Sequence, residues 1–149
     1  VGEAGGAAIG EALAKGKVPQ LQVLSLFGNM LGHDGGVAIG DALGKGALPE
    51  LRQLGLGYND LGDSGGSAVG RGLCLAPLSG SPWMLEKIDL AHNGLGQESA
   101  KALFAVIEAG FMPALTDIYL QNSIFDAESK RRLREAQAGP GCSFKIIYD

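Results

Sequence analysis

The sequence contains few of the residues from which common chemical sites are built. Its 149 residues include 2 cysteines and 2 histidines, too few for a disulfide framework or for a zinc site of cysteines and histidines. Cys74 and Cys142 lie far apart in the chain. We expect both to be reduced thiols of an intracellular protein, located in the cytoplasm or in an organelle.

Long apolar runs and basic stripes are also missing. A membrane-spanning helix needs about 18 or more apolar residues in a row, and no such run occurs, so membrane insertion is not expected. No basic segment followed by an apolar one opens the chain, so we expect no secretory signal. The net charge is −4 with both signs mixed, which argues against nucleic acid as a partner.

Glycine, in contrast, is abundant, and it recurs within a repeated pattern. The 25 glycines far exceed the usual share of about 7%. The pattern reads leucine-x-x-leucine-x-leucine-x-x-asparagine-x-leucine, and it begins at Leu21, Leu51 and Leu85, with a weaker copy at Leu115. These starts are 30, 34 and 30 residues apart. A fixed period of this size predicts a solenoid of stacked units.

Each repeat has two halves with different periodicity. The first half alternates apolar and polar residues, which predicts a short strand. The second half places apolar residues at helical spacing, for example Ala38, Ile39, Ala42 and Leu43, and its alanines and glycines would allow close helix packing. A strand–helix–strand unit is right-handed with parallel strands. The repeats therefore predict an α/β solenoid with a parallel sheet on the concave face and helices on the convex face.

Residues that cap helices recur at matching positions. We expect N-cap side chains at Asp34, Ser64 and Asp126, because an oxygen there would accept from free backbone N–H groups. Left-handed positions after the helices are expected at the glycines that stand five residues before each leading leucine. These are Gly16, Gly46, Gly80 and Gly110.

The repeated motif, followed by glycines and a helix, resembles the leucine-rich repeat, and in particular its long, ribonuclease-inhibitor-like form. The resemblance extends from about Gly5 to Ala138. It implies a horseshoe in which Asn29, Asn59 and Asn93 form a buried ladder bonded to backbone groups after each strand. Ser123 replaces the asparagine in the last copy, so a looser final turn is expected.

We interpret residues 1–149 as one domain that begins within a repeat, because Gly5–Leu13 matches Gly35–Leu43. The N-terminal end of the stack is therefore expected to be covered by further repeats or by another chain. The last helix is more polar than the others, as a terminal cap requires, although its basic residues would also suit an acidic partner. The divisions are a partial repeat at 1–20, repeats at 21–50, 51–84, 85–114 and 115–138, and a C-terminal cap strand at 139–149.

Candidate binding residues lie on the outward positions of the strands and in one loop. Side chains alternate across a strand, so we expect a mixed, aromatic-containing concave face formed by Phe27, Gln53, Tyr58, Lys87, Asp89, His92, Asp117 and Tyr119. The loop is the longer connection near Trp83. For Trp83 two interpretations are open: it covers the end of the preceding helix, or it is an exposed contact for a partner.

The segment Gly62–Gly66 spells GDSGG, which also surrounds the nucleophilic serine of chymotrypsin-like proteases. The same position in the preceding repeat reads Gly32–Gly36 without a serine, so we interpret GDSGG as a variant of the loop that enters a helix. Catalysis would also need a histidine base, an orienting carboxylate and an oxyanion hole. We predict no catalytic residue, cofactor or metal.

The function expected from this pattern is that of a non-catalytic protein–protein interaction or scaffold module, or of a subunit within a larger assembly. The family resemblance implies an alternative. Ribonuclease-inhibitor-like repeats also regulate small GTPases and inhibit enzymes through the concave face.

Overall fold

The computed structural model describes residues 1–76, 80–139 and 144–148. Within these ranges five helices alternate with five strands. Their bounds are α1 (Gly2–Ala14), β1 (Val23–Ser25), α2 (Gly32–Gly44), β2 (Gln53–Gly55), α3 (Gly62–Leu75), β3 (Lys87–Asp89), α4 (Gln97–Glu108), β4 (Asp117–Tyr119), α5 (Ala127–Ala138) and β5 (Lys145–Ile147).

The five strands form one parallel sheet in chain order, from β1 to β5. The pairing keeps equivalent residues of successive repeats side by side, and the middle residues form one row: Leu24, Leu54, Ile88, Ile118 and Ile146. All five are buried. The predicted α/β solenoid is confirmed, and we call the sheet face that points away from the helices the concave face.

A single hydrophobic core runs along the stack between the sheet and the helices. In the second repeat, Leu51, Leu56 and Leu61 from the strand half are fully buried. The helices contribute equivalent buried residues, such as Ile39 and Val69. Because each buried aliphatic side chain is worth roughly 1.5–3 kcal/mol, every repeat is stabilised mainly by the repeats on either side of it.

Glycines allow neighbouring helices to approach until their backbones touch. Gly10, Gly40 and Gly70 hold the same position in α1, α2 and α3. A Cβ atom added to Gly40 would strike the carbonyl of Ala68, and one added to Gly10 would strike Ala38. The predicted close packing of the helices is therefore confirmed for this part of the stack.

Two of the three predicted N-caps are wrong. Helices α2 and α3 begin at Gly32 and Gly62, so Asp34 and Ser64 lie inside the first turn. The helices begin early because these glycines adopt left-handed backbone angles, with φ of 63° and 64°, which turns the chain directly into the helix. Asp126 does cap α5: its carboxylate accepts from the backbone N–H of Ser129 at 2.7 Å.

The expected left-handed glycines after the helices are found at Gly16, Gly46 and Gly110, with φ of 64°, 66° and 68°. Gly80 does not have this role, because α3 already ends at Leu75. Part of the longer loop that we predicted there, at residues 77–79, lies outside the described residues.

At the C-terminal end, β5 pairs with β4, and Ile146 aligns with Ile118. Residues 140–143 and 149 of the predicted cap strand, with Cys142, lie outside the described residues. Over the ranges that the structure describes, none of the helices is both long and apolar enough to cross a membrane.

Candidate protein-binding face

The register of the sheet arranges the outward side chains of the strands in two rows. One row comprises Val23, Gln53, Lys87, Asp117 and Lys145. The next comprises Ser25, Gly55, Asp89, Tyr119 and Ile147. Most of the candidates on the concave face therefore lie in two adjacent lines.

Charges of opposite sign alternate along the first row. Lys87 is in register between Gln53 and Asp117, and Asp117 is followed by Lys145. The carboxylate of Asp117 also accepts a hydrogen bond from the hydroxyl of Thr116 at 2.8 Å. The row therefore carries no strong net charge of either sign.

Three aromatic side chains from successive repeats contact one another at the ends of the strands. The rings of Phe27 and Tyr58 are 5.0 Å apart and tilted by 55°. Those of Tyr58 and His92 are stacked at 4.0 Å and 15°. Phe27 is 55% exposed and Tyr58 is 50% exposed. We call these three residues the aromatic row.

Two residues of the aromatic row have left-handed backbones, which is unusual for bulky side chains. Tyr58 and His92 have φ of 57° and 55°, and Gly28 holds the equivalent position in the first repeat at 69°. A non-glycine residue pays roughly 1–2 kcal/mol for this conformation. The turn is held by backbone hydrogen bonds between repeats: Tyr58 N–H donates to Ala91 at 2.9 Å, and His92 N–H to Gln121 at 2.7 Å.

Behind the aromatic row, buried asparagines join the turns of successive repeats. The side-chain oxygen of Asn93 accepts from the backbone N–H groups of Asn59 and Leu61, at 3.0 and 3.3 Å. Its NH₂ group donates to the carbonyls of Leu56 and Leu90, at 2.8 and 3.0 Å. The side-chain oxygen of Asn59 accepts in the same way from Asn29 and Leu31. These bonds fix the turns that carry the aromatic row.

A cavity of about 190 Å³ opens on the concave face at Gly55. It is lined by residues of four strands, and its polar or aromatic side chains are Ser25, Gln53, Lys87, Asp89 and Tyr119. Four of our concave-face candidates are therefore brought together at one opening. Phe27 reaches the neighbouring Gly57. Asp117 lies on β4, as Tyr119 does, but it does not line the cavity.

Trp83 is not an exposed contact, so its place among the binding candidates is wrong. The residue is only 4% exposed. Its ring N–H donates to the backbone carbonyl of Leu73 at 2.8 Å, near the C-terminal end of α3. An indole suits this place because its ring covers apolar core surface while its N–H donates to a carbonyl at the end of the helix. The alternative interpretation, that Trp83 covers this helix end, describes its position.

Asp63 has a role that sequence reasoning missed. Its carboxylate accepts from the backbone N–H groups of Gly96, Glu98 and Ser99, at 2.9, 3.1 and 2.7 Å. Burial acts to raise the pKa of Asp63, but the hydrogen bonds from Ser99, Glu98 and Gly96 outweigh it, and the net pKa is lowered. Asp63 thus caps the helix of the next repeat. In the sequence, its place within GDSGG was the only signal that pointed to a special role.

Asp63 and Ser64 of the GDSGG segment both lie in the first turn of α3. Asp63 is bonded to α4, and Ser64 lies exposed in the first turn of α3. Over the described part of the chain, no three histidine, cysteine or acidic side chains are grouped so that they would hold a metal ion. The burial of Cys74, whose thiol lies 3.8 Å from the carbonyl of Ala102, raises the pKa of that thiol, which lowers its reactivity.

The family model described as "Leucine Rich repeat" matches residues 48–70 and 84–104. No curated protein matches the chain. Among solved structures, one similar chain is described as "Leiomodin-1 Actin-Binding Site 2 (ABS2)". It is 14% identical with a TM-score of 0.70, and the match covers 94% of this chain and 76% of that one. The fold is thus that of a leucine-rich-repeat solenoid, and at this identity the likeness to leiomodin-1 concerns the fold alone.

Proposed function

We propose that this chain is a non-catalytic protein-interaction module of the ribonuclease-inhibitor-like type, which binds a protein partner through the concave face and the aromatic row. The observation that carries the proposal is the contact of three rings across three repeats, the exposed Phe27 and Tyr58 and the half-buried His92. Rigid aromatic side chains are enriched in the parts of interfaces that contribute most to affinity.

The backbone of the aromatic row supports the same conclusion. Tyr58 and His92 keep large side chains at left-handed positions where Gly28 shows that glycine fits. The exposed ring of Tyr58 therefore costs stability in the free chain. Strain of this kind concentrates at functional sites, and a binding role for these side chains gives it a physical reason.

The charges of the concave face favour a partner of mixed character. Asp89 and Asp117 are accompanied by Lys87 and Lys145 on the same face. A strongly basic enzyme, such as a nuclease, would be matched by a more acidic surface. Regulation of a small GTPase is an alternative that this mixed face accommodates. The leiomodin-1 likeness gives no reason to prefer actin, because it concerns the backbone.

The experiment is affinity capture with the wild-type chain and a variant that lacks two of the rings, Phe27→Ser with Tyr58→Gly. Glycine at position 58 suits the left-handed backbone, so this variant should remain folded. The matched control reverses two exposed charges on the helix side, Asp41→Lys with Lys45→Asp. Quantitative mass spectrometry compares the proteins recovered by each form.

We expect a partner that the wild type and the helix-side control recover equally and that the ring variant loses by at least tenfold. Purified partner and isothermal titration calorimetry would then give the affinity of each form. If the partner is a small GTPase, its hydrolysis rate with and without the chain separates regulation from scaffolding. A partner lost only by the helix-side control, or no partner that depends on the rings, would contradict the proposal.

A further inference from the structure

The second repeat lacks side chains where its neighbours have them. Gly55 and Gly57 occupy both outward positions at the end of β2, and Ser25 and Asp89 stand in register on either side of Gly55. The result is the cavity of about 190 Å³ at Gly55. A water molecule takes about 30 Å³ of liquid volume, so the opening is large enough for the end of one long side chain.

A carboxylate and an aromatic ring face each other across Gly57. A Cβ atom placed on this glycine would lie 2.9 and 3.0 Å from the two carboxylate oxygens of Asp89 and 3.1 Å from Cδ2 of Phe27. The ring of Tyr58 is next to Phe27. The carboxylate and the ring therefore cover Gly57, which is buried. Asp89, which also lines the cavity at Gly55, thus has exposed aromatic surface beside it.

The charge of Asp89 is not neutralised within the described ranges of the chain. One of its oxygens accepts from the backbone N–H of Ala91 at 3.0 Å. Its register neighbours, Gly55 and Tyr119, carry no charge. Lys87 lines the same cavity, but among the described residues no ion pair joins it to Asp89. The negative charge of Asp117 beside Lys87 offsets the repulsion that Lys87 would exert on an incoming cation.

We propose that this opening is a receptor site for one arginine side chain of the partner protein, with the guanidinium on the Asp89 carboxylate and beside the rings of Phe27 and Tyr58. A guanidinium is planar, bonds a carboxylate through two N–H groups and stacks on aromatic rings. A lysine ammonium makes the charge contact without the planar fit. The inference rests on the proposed function, since it requires a protein on the concave face.

The site can be tested without knowing the partner. The probe is N-acetyl-arginine methylamide, added in the millimolar range to ¹⁵N-labelled full chain and followed by NMR. We expect saturable shifts at the backbone amides of Gly55, Gly57, Asp89 and Ala91. The corresponding citrulline compound has nearly the same shape without the charge. It should bind at least about fivefold more weakly, and the lysine compound about twofold more weakly.

Two variants locate the binding. Asp89→Asn removes the charge and keeps an oxygen for the Ala91 N–H, and it should weaken arginine binding about fivefold or more. Gly55→Leu fills the opening and should abolish binding. A Cβ atom at Gly55 has only ordinary contacts, with Ser25 at 3.6 Å, so the backbone tolerates the change. Asp41→Asn, an exposed aspartate of α2 on the helix side, is the matched control and should leave the affinity within twofold.

The result separates this inference from the proposed function. Absence of saturable shifts, equal binding of citrulline or lysine, or unchanged binding by Asp89→Asn would overturn the arginine site. In each of those cases, a partner whose recovery depends on the aromatic row would still support the proposed function. Conversely, the stated pattern of probe binding supports the site, and a partner that ignores the ring variant would then contradict only the proposed function. Thermal unfolding and the NMR spectrum of each variant will show whether that variant is folded.

Discussion

The inner interfaces of the stack and its last interface join the same two helix positions with different chemistry. In the inner part, Gly40 of α2 lies against Ala68 of α3, and Gly70 of α3 lies against Ala102 of α4. At the last interface the equivalent residues are Phe104 of α4 and Arg132 of α5, and the guanidinium lies 4.6 Å from the ring centroid. Backbone contact has been replaced by contact between long side chains.

This difference shows how one repeat serves two purposes. Glycine against alanine brings rigid backbones together, so the inner repeats are fixed relative to one another and any added atom must displace main chain. Phe104 is buried at 2% exposure, and Arg132 covers it while pairing with Glu108 at 2.8 Å. An arginine can cover apolar surface and keep its charge in water. The last helix therefore ends the stack with a polar outer side.

The largest expected effect breaks the inner turns, which are joined through asparagine. Asn93→Ala would leave the buried N–H groups of Asn59 and Leu61 without their acceptor and the carbonyl of Leu90 without its Asn93 donor. Each unsatisfied group costs about 1–3 kcal/mol. We expect the free energy of unfolding to fall by about 4 kcal/mol, measured by urea unfolding followed by circular dichroism.

Ser123 is the matched control, because it holds the same position in the last repeat. Its hydroxyl donates to the carbonyl of Leu120 in the same repeat at 2.7 Å, and among the described residues it makes no bond to a second repeat as Asn93 does. Ser123→Ala should lower the free energy of unfolding by about 1 kcal/mol. Equal losses in the two variants would contradict the distinction between inner and last turns.

The second expected effect tests the backbone contact between helices. Gly40→Ala should lower the free energy of unfolding by about 2 kcal/mol, because the new methyl group meets the carbonyl of Ala68 and overpacking of this kind costs about 1–3 kcal/mol. Helix propensity acts in the opposite direction, since alanine in a free helix is better than glycine by about 1 kcal/mol. Urea unfolding therefore shows whether overpacking or helix propensity dominates the change in the free energy of unfolding.

Arg134 occupies the position of Gly40 in α5 and supplies the comparison. Arg134→Ala should change the free energy of unfolding by about 0.5 kcal/mol or less, although it loses a hydrogen bond to the hydroxyl of Tyr148 at 3.0 Å. A stabilising effect of Gly40→Ala would show that the inner helices do not touch as described.

Much of the inner stack was predictable from the sequence, because the spacing of the repeats indicates which residues of neighbouring strands pair. Leu24, Leu54 and Ile88 occupy equivalent positions, and equivalent positions pair in a solenoid. The starts of the helices were less predictable. Asp34 and Ser64 have good N-cap side chains, but the helices begin at the left-handed glycines Gly32 and Gly62, three residues earlier than those caps predict.

The contacts between repeats were beyond sequence reasoning for a different reason. Strand alternation indicates that Phe27 and Asp89 face outward, but their approach across Gly57 depends on the distance between strands and on a missing side chain. Glu128 and Arg132 are four residues apart in α5, a spacing that favours an ion pair within the helix. The structure instead pairs Glu128 with Arg131 and Arg132 with Glu108, because Arg132 faces the neighbouring helix. Local spacing alone gives no warning of such a neighbour.

The third expected effect concerns two aspartates that cap helices in these two regions. Asp63 caps the helix of the following repeat, whereas Asp126 caps its own helix through Ser129. The backbone N–H of Ser129 lowers the pKa of Asp126, and the pKa of Asp63 is also lowered in the fold. A carboxyl with a lowered pKa stabilises the fold above its unfolded pKa and loses that contribution as the pH falls through the folded value.

We expect Asp63→Asn to lower the free energy of unfolding at pH 7 by about 1 kcal/mol, because the amide keeps one acceptor oxygen but its NH₂ group cannot accept from the N–H of Glu98. The loss should shrink below about pH 4, where the unfolded aspartate of the wild type takes up its proton. Urea unfolding at both pH values measures it. Asp126→Asn should show the same sign with a smaller loss. A loss in Asp63→Asn that grows on acidification would contradict the assignment of the charge.

The smallest expected effect concerns the last interface itself. Arg132→Ala removes the contact with Phe104 and the ion pair with Glu108. The side chains of Arg132 and Glu108 are 38% and 58% exposed. Cation–ring contacts at exposed sites are worth about 0.5–1 kcal/mol and exposed ion pairs about 0.5 kcal/mol. Because the salt-dependent part is screened, the loss in free energy of unfolding should be about 1 kcal/mol at low salt and smaller in about 1 M NaCl.

Arg131→Ala is the matched control, because Arg131 pairs only with Glu128 and Glu135 of its own helix among the contacts the structure describes. Both variants lose an arginine from α5, but only Arg132→Ala loosens α5 from α4. Amide hydrogen exchange should therefore accelerate in α5 for Arg132→Ala and leave α2 unchanged, whereas Arg131→Ala should leave both nearly unchanged. Acceleration in α2 as well would mean that the last helix supports the whole stack, which the backbone contacts of the inner helices argue against.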